Sequence, residues 1–154
     1  MIIRKGNLND VAEIRRLFAD TITEVCKNDY SSDQINVWKS GAENEERWLK
    51  VIEKQIVLIA EINGKTVGFC TLDQGNYIDL LFVHHDFQQQ GIARKLYVLI
   101  EQEARNQGKK GLSADVSRTA RSFFEKMGFT IIQEQTVNVK GTDLINYKME
   151  KKIV

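Results

Sequence analysis

A chain of 154 residues with 42% hydrophobic and 28% charged residues has the composition of one globular domain and is too short for two sizeable cores. Its formal net charge of +1 argues against a nucleic-acid-binding surface, and no apolar run reaches the length of a membrane span. Cys26 and Cys70 have neither the spacing nor a nearby His that a zinc site or a disulfide scaffold needs. We therefore expect one domain over residues 1–154 in a reducing cytoplasm, with no nucleic-acid or membrane partner.

The start of the chain predicts one strand and two helices. Residues 1–5 form a short apolar strand, and Asp10 with Glu13 has the spacing of a capping box before an amphipathic helix. Ser31 with Gln34 repeats this spacing before a second, shorter helix.

Three β segments follow a third predicted helix at 45–54. They cover residues 56–60, 65–72 and 77–83, and Asn63-Gly64 is a strong hairpin signal between the first two. The remaining predicted elements are a helix from Gly91 to the stop signal at Gly108, a strand at 111–116, a helix at 119–127, and strands at 129–139 and 142–149. The order β-αα(α)-βββ-α-β-α-ββ predicts an α/β (α+β) fold, a mixed and largely antiparallel sheet of six to seven strands with helices on both faces.

The most informative segment is the junction between the strand at 77–83 and the helix that begins at Gly91. The first turn of a helix leaves main-chain N–H groups unpaired at the positive end of the helix dipole. Gly91 and Ala93 are small, so a ligand can approach this main chain closely. The pattern therefore predicts an anion site, most often for phosphate or pyrophosphate. A tight loop with small residues for packing is the alternative explanation.

Two segments resemble signatures of the GNAT superfamily of N-acetyltransferases. Gln88-x-x-Gly91-x-Ala93, between a strand and an amphipathic helix, resembles the family's acyl-CoA signature. The family's second signature is Asn-x-x-Ala-x-x-Phe-Tyr-x-Lys-x-Gly-Phe, and the similar residues here are Ser117, Ala120, Phe123, Phe124, Lys126, Gly128 and Phe129. The predicted order of elements also matches the GNAT fold, so the resemblance extends over nearly the whole chain.

The resemblance implies an enzyme that uses acetyl-CoA as co-substrate. The residues implied to bind its pyrophosphate are Gln88, Gln89, Gln90, Gly91, Ile92, Ala93 and Arg94. The pantetheine arm would lie along main-chain groups of Leu81, Phe82 and Val83, with a main-chain N–H of Val83 or its neighbour as oxyanion donor. Ser117, Ala120 and Phe124 would form the opposite wall.

Acetyl transfer needs a neutral amine, a donor for the developing oxyanion and a proton for the departing thiolate. Asp79 is the predicted base, because a carboxylate inside an apolar strand would be buried and more basic. A place on the polar face of a half-buried strand is the alternative.

His84 and His85 titrate in a useful range but belong to a predicted exposed loop, where no metal is expected. Asp115 either faces the cleft or caps the next turn.

The proton donor is where the chain departs from the family pattern. Phe124 replaces the usual Tyr and has no hydroxyl group, so either another residue or water must act. Tyr77, Tyr147 and Ser117 are the candidates. We take Tyr147 as the candidate catalytic residue because the last strand lies within reach of the predicted cleft.

The acceptor in this fold usually meets the thioester between the first helices and the last strands. Tyr30, Gln34 and Trp38 are therefore predicted to form its binding wall, although packing explains Trp38 equally well. The nearby acidic residues Glu24, Asp29 and Asp33 would attract a cationic amine. We expect a primary amine of a small molecule or peptide as acceptor, and a homodimer is compatible with the fold.

A non-catalytic acyl-CoA-binding module is the alternative function, because Phe124 replaces the usual Tyr. A P-loop or dinucleotide-binding protein fits poorly, since the chain has no Gly-Lys-Ser/Thr and no Gly-x-Gly-x-x-Gly.

Overall fold

The computed structural model describes residues 1–154 as one seven-stranded mixed sheet with helices on both faces. The strands are β1 Ile2–Lys5, β2 Ile56–Ile62, β3 Lys65–Asp73, β4 Tyr77–Val83, β5 Gly111–Ser117, β6 Thr130–Val139 and β7 Thr142–Lys152. The α-helices are α1 Val11–Val25, α2 Ser32–Lys39, α3 Glu45–Lys54, α4 Ile92–Asn106 and α5 Arg121–Lys126. The predicted α/β fold is thereby confirmed, and none of these helices combines the length and apolar character needed to cross a membrane.

Each face of the sheet has its own apolar core. The core under α4 and α5 contains Leu96 and Phe124, and the core under α1, α2 and α3 contains Phe18 and Trp48. Trp48 is fully buried and donates its indole N–H to the carbonyl of Gly41 at 2.9 Å. Both sheet faces are therefore covered, which explains the nearly continuous apolar run of the central strands.

The sheet is interrupted between β4 and β5. These strands are parallel and pair only at Tyr77 and Ser113, whereas the other neighbouring strands are antiparallel and pair over four or more positions. Beyond that single pair the carboxyl-terminal halves of β4 and β5 have no ladder between them. The strand order is β1-β2-β3-β4-β5-β7-β6, so this gap lies inside the sheet and not at its edge.

Two local predictions are confirmed and one is wrong. Asn63 and Gly64 have left-handed φ angles of 51° and 77°, as a tight hairpin turn between β2 and β3 requires. Ser31 and Gln34 form the predicted capping box of α2. Asp10 makes no cap hydrogen bond to α1, and its carboxylate instead accepts from Arg4 at 2.7 and 2.8 Å and from the N–H of residue 7 at 2.8 Å. A guanidinium that binds both carboxylate oxygens outcompetes a local cap.

Asp10→Asn is expected to lower the free energy of unfolding at pH 7 by about 1–3 kcal/mol, the usual range for a charge-assisted hydrogen bond. The hydrogen bonds from Arg4 hold the pKa of Asp10 below its usual value of 3.8. This stabilisation is therefore complete above pH 3.8 and disappears as the pH falls through the lowered folded value. Urea unfolding of both proteins at pH 7 and in acid measures the difference. Glu13→Gln, which removes an exposed pair with Arg16, is the control and should change little.

Candidate active site

The gap between β4 and β5 opens into a cleft of about 1320 Å³ that passes from the start of α4 through the sheet to α1 and α3. Its lining includes the carboxyl-terminal halves of both strands and is predominantly hydrophobic. A cleft at a break in the strand order is a common location for a ligand site.

The loop before α4 presents main-chain N–H groups to this cleft. The N–H groups of residues 88–94 have no hydrogen-bond acceptor within the chain, and the first helical bond runs from Lys95 to the carbonyl of Gly91 at 3.1 Å. Gly91 has a left-handed φ of 80°, and no atom lies within 4 Å of the place where a side-chain carbon would be. The predicted anion-binding geometry is present, and all of these residues except Gln90 line the cleft.

The exposed edge of β4 continues this surface. The Val83 carbonyl accepts from the side-chain amide of Gln88 at 2.5 Å and from the Thr21 hydroxyl at 3.4 Å, so it points away from β3. Main-chain groups alternate along a strand, and those of Leu81 therefore face the same free edge. Phe82 faces β3 with its main chain, and its ring stacks on Phe69 with centroids 5.6 Å apart. Leu81 and the N–H of Val83 thus offer main-chain groups to the cleft, whereas the Val83 carbonyl is already bonded, and Phe82 contributes its side chain.

The opposite wall includes the three predicted residues Ser117, Ala120 and Phe124. The Ser117 hydroxyl accepts from the N–H of Ala120 at 3.1 Å, which leaves its own proton free to be donated. Phe124 is buried and packs edge to face on Phe129 at 5.1 Å. This wall is therefore apolar at the place where the family usually has a hydroxyl group.

Asp79 occupies a β-bulge. Leu80 pairs with Thr71 and Ile78 pairs with Leu72, so Asp79 is an extra residue without a partner on β3. Its side chain is 17% exposed, lines the cleft and accepts from Arg47 at 3.2 Å on each oxygen and from the amide of Gln55 at 2.8 Å. Arg47 and Gln55 were not predicted, because only the tertiary fold brings α3 beside β4. The Arg47 guanidinium thus gives this carboxylate a cationic partner.

Asp115 lies on β5, across the cleft from Asp79. The Tyr77 hydroxyl donates to one of its oxygens at 2.8 Å, and the side-chain amide of Gln135 donates to the other at 2.9 Å. Burial and this hydrogen bond raise the pKa of Tyr77, so the phenol stays protonated as a donor. Tyr77 is therefore occupied by Asp115 and is not a free acid. Of the two alternatives left open for Asp115, the structure has the residue at the cleft.

Tyr147 is not placed to protonate a leaving group in the cleft. It pairs with Val116 and points into the core under α4 and α5, where the Arg121 guanidinium lies 4.8 Å from its ring centre. Ile145 and Asn146 line the cleft, and Tyr147 does not. The choice of Tyr147 as candidate acid is corrected by this geometry.

The predicted acceptor wall is partly assembled. Tyr30 and Trp38 line the cleft and pack edge to face with centroids 5.2 Å apart. The Tyr30 hydroxyl donates to the Ile145 carbonyl at 2.7 Å and accepts from the N–H of Arg118 at 2.9 Å, so it connects the segment between α1 and α2 to β7 and to the residue after β5. Gln34 does not line the cleft, because it caps α2 and donates to a main-chain carbonyl of β7 at 2.9 Å.

The acidic residues expected to attract an amine lie elsewhere. Glu24, Asp29 and Asp33 are outside the cleft, whose carboxylates are Glu43, Asp79 and Asp115.

His84 and His85 also lie outside the cleft. Their ring centroids are 4.3 Å apart in a stacked arrangement, and burial together with the charge of Lys65 lowers the pKa of His84. The two histidines and Asp86 have ligand atoms within 4.8 Å of one another. The neighbouring lysine disfavours a cation there.

Comparison with known proteins supports the assignment made from the two signatures. The family described as an acetyltransferase (GNAT) domain matches residues 26–151. The uncharacterised N-acetyltransferase YafP of Escherichia coli K12 is 32% identical over 97% of this chain and 95% of that protein. The crystal structure of a GCN5-related N-acetyltransferase from Rhodopseudomonas palustris superimposes with a TM-score of 0.95 at 32% identity, covering 99% of this chain and 95% of that one.

A more distant structure shares the fold. The PaiA N-acetyltransferase of Thermoplasma acidophilum, solved in complex with coenzyme A, has a TM-score of 0.80 at 21% identity and covers 99% of this chain and 98% of that one. The family match extends over most of the chain, and the relatives at 32% identity are N-acetyltransferases along nearly their full length. This chain therefore belongs to the GNAT superfamily and is an N-acetyltransferase.

Proposed function

We propose that the protein transfers an acetyl group from acetyl-CoA to a primary amine of a small molecule or peptide by direct attack on the thioester. The observation that carries this proposal is the row of unpaired N–H groups at residues 88–94, beside an open cleft through the sheet. The structural neighbours crystallised with coenzyme A or acetyl-CoA, from Thermoplasma acidophilum and Salmonella typhimurium, support the same ligand.

The pyrophosphate would bind the N–H groups of residues 88–94, with the charge of Arg94 beside it. The pantetheine arm would follow the edge of β4 and bond the main chain of Leu81 and Val83 as an added strand does. Ser117, Ala120 and Phe124 would enclose it from the other side. A thioester at the end of this arm would lie between Asp79 and Asp115.

The chemical step would begin with attack of the amine nitrogen on the thioester carbonyl carbon. An N–H of Leu81 or Val83 at the free edge of β4 would stabilise the oxyanion. Asp79 would accept the proton that the nitrogen loses. The carbon–sulfur bond then breaks, and the thiolate takes up a proton to give free coenzyme A and an amide.

We assign donation toward the departing sulfur to the Ser117 hydroxyl. Of the three candidates from the sequence, Tyr77 donates to Asp115 and Tyr147 lies outside the cleft. Ser117 lines the cleft and keeps an unused proton. A weakly acidic hydroxyl can stabilise a thiolate by hydrogen bonding while water supplies the proton.

Calorimetric titration of the protein with acetyl-CoA tests the binding half of the proposal, and we expect a one-to-one complex. Release of free coenzyme A in the presence of primary amines, measured from pH 7 to 9, tests the transfer half. Turnover should rise with pH because more of the acceptor is then neutral. Binding without any amine-dependent release would favour the non-catalytic module.

A further inference from the structure

Two carboxylates border the cleft just beyond the point where β4 and β5 separate. Tyr77 and Ser113 are the last paired residues, and Asp79 and Asp115 each follow two positions later on opposite walls. The Tyr77 hydroxyl donates to the carboxylate of Asp115 at 2.8 Å. Both carboxylates are therefore within the cleft in which the acceptor is proposed to bind.

The two carboxylates differ in how their charge is compensated. Asp79 is paired with the guanidinium of Arg47, whereas Asp115 receives only the neutral donors of Tyr77 and Gln135. No lysine, arginine or histidine nitrogen lies within 4.0 Å of Asp115. Its cross-strand partner Lys148 lies 4.0 Å from Glu150 instead. Asp115 is an exposed residue that lines the cleft, and it thus has no cationic partner there.

The position of the Asp115 carboxylate is fixed on both oxygens. Tyr77 holds one oxygen and Gln135 the other, and the same Gln135 amide also donates to Asn146 at 3.0 Å. Both donors are anchored in strands of the sheet, on β4 and β6. A carboxylate that neutral donors already hold in one orientation is suited to bind a cation, because its side chain loses little conformational entropy on binding.

We infer that the acceptor carries a second positive charge besides the reacting amine, and that Asp115 binds this non-reacting ammonium or guanidinium group. The inference rests on the proposed function. The reacting nitrogen must become neutral before it attacks, so an uncompensated carboxylate favours a group that stays charged. Of the two carboxylates where β4 and β5 separate, Asp79 already has Arg47 as its partner, and Asp115 is the one that can take this charge. Tyr77 and Gln135 act as positioning residues.

The experiment compares pairs of acceptors that differ only in the second charge. Linear α,ω-diamines of three to six carbons are assayed with acetyl-CoA against the monoamines of equal length, for the native protein and for Asp115→Asn. We expect at least one diamine to exceed its monoamine by about tenfold in kcat/KM, the ratio produced by one well-placed charge interaction. In Asp115→Asn the preference for the diamine should disappear, because the KM for the diamine rises while the kcat for the diamine changes little.

Two further variants separate a specific role from a general loss. Asp143→Asn makes the same change on an exposed residue of β7 outside the cleft, and it should keep the preference for the diamine. Tyr77→Phe keeps the carboxylate but releases one of its oxygens, and it should lose part of the preference.

The outcomes distinguish this inference from the proposed function. Equal activity on diamines and monoamines, or equal losses on both in Asp115→Asn, overturns the role of Asp115 while acetyl transfer stands. Acetylation of neither series by a protein that binds coenzyme A also overturns it. A protein that does not bind coenzyme A at all instead contradicts the proposed function.

Discussion

Gly91→Glu is expected to weaken the binding of coenzyme A by about 100-fold or more, which corresponds to about 2.7 kcal/mol. The substitution places a carboxylate beside the N–H groups proposed to hold the pyrophosphate, so it both fills the site and repels the ligand. It also puts a side chain at a φ of 80°, which costs about 1 kcal/mol in a non-glycine residue. Isothermal titration with coenzyme A measures the loss.

Gly64→Glu is the matched control for this prediction. Gly64 has a φ of 77°, and no atom lies within 4 Å of the side-chain position, so the strain and the added charge are the same. It lies in the turn between β2 and β3, outside the cleft, and its variant should bind coenzyme A like the native protein. Similar affinities for the two variants would contradict the placement of the pyrophosphate at residues 88–94.

Asp79→Asn is expected to lower kcat by about 100-fold or more, the usual contribution of a general base, without changing the affinity for coenzyme A. Asparagine is nearly isosteric and can still accept from Arg47, but it cannot take a proton from the amine. Steady-state release of coenzyme A with a saturating amine, together with calorimetry of the complex, separates the two effects.

Asp73→Asn is the control for Asp79→Asn, because it removes the same charge from the same β3–β4 hairpin. Asp73 ends β3, opposite Tyr77 and outside the cleft, so its variant should keep full turnover. Thermal unfolding shows whether Asp79→Asn stays folded, since Arg47 is 40% exposed and can be solvated without its partner. Retained turnover in a folded Asp79→Asn protein would exclude this carboxylate as the base.

The fold was predictable because its signals are local. Asn63-Gly64 marks a hairpin by its backbone preference, and the apolar run after Gln55 marks a strand covered on both faces. The loop at residues 88–94 was predictable for the same reason, since glycine placement and a following amphipathic helix are properties of neighbouring residues.

The contacts that determine the chemistry were not predictable, because they join residues far apart in the chain. Arg47 and Asp79 lie 32 positions apart, and Tyr77 and Asp115 lie 38 positions apart. No periodicity within α3 or β5 indicates either pair. The error at Tyr147 has a related cause, since only the tertiary fold decides how far the cleft extends along β7: Ile145 lines it and Tyr147 does not.

The bulge at Asp79 also bears on how such a site can arise. If Asp79 is left out, the remaining side chains of β4 alternate regularly between the two apolar cores. The core under α4 and α5 receives Ile78, Leu81 and Val83, and the core under α1, α2 and α3 receives Leu80 and Phe82. The carboxylate therefore takes no place that hydrophobic packing requires; it is an insertion and not a replacement. A gain or loss of one codon would add or remove the acid group with the packing of both layers intact, a far smaller step than exchanging a core residue for a charged one.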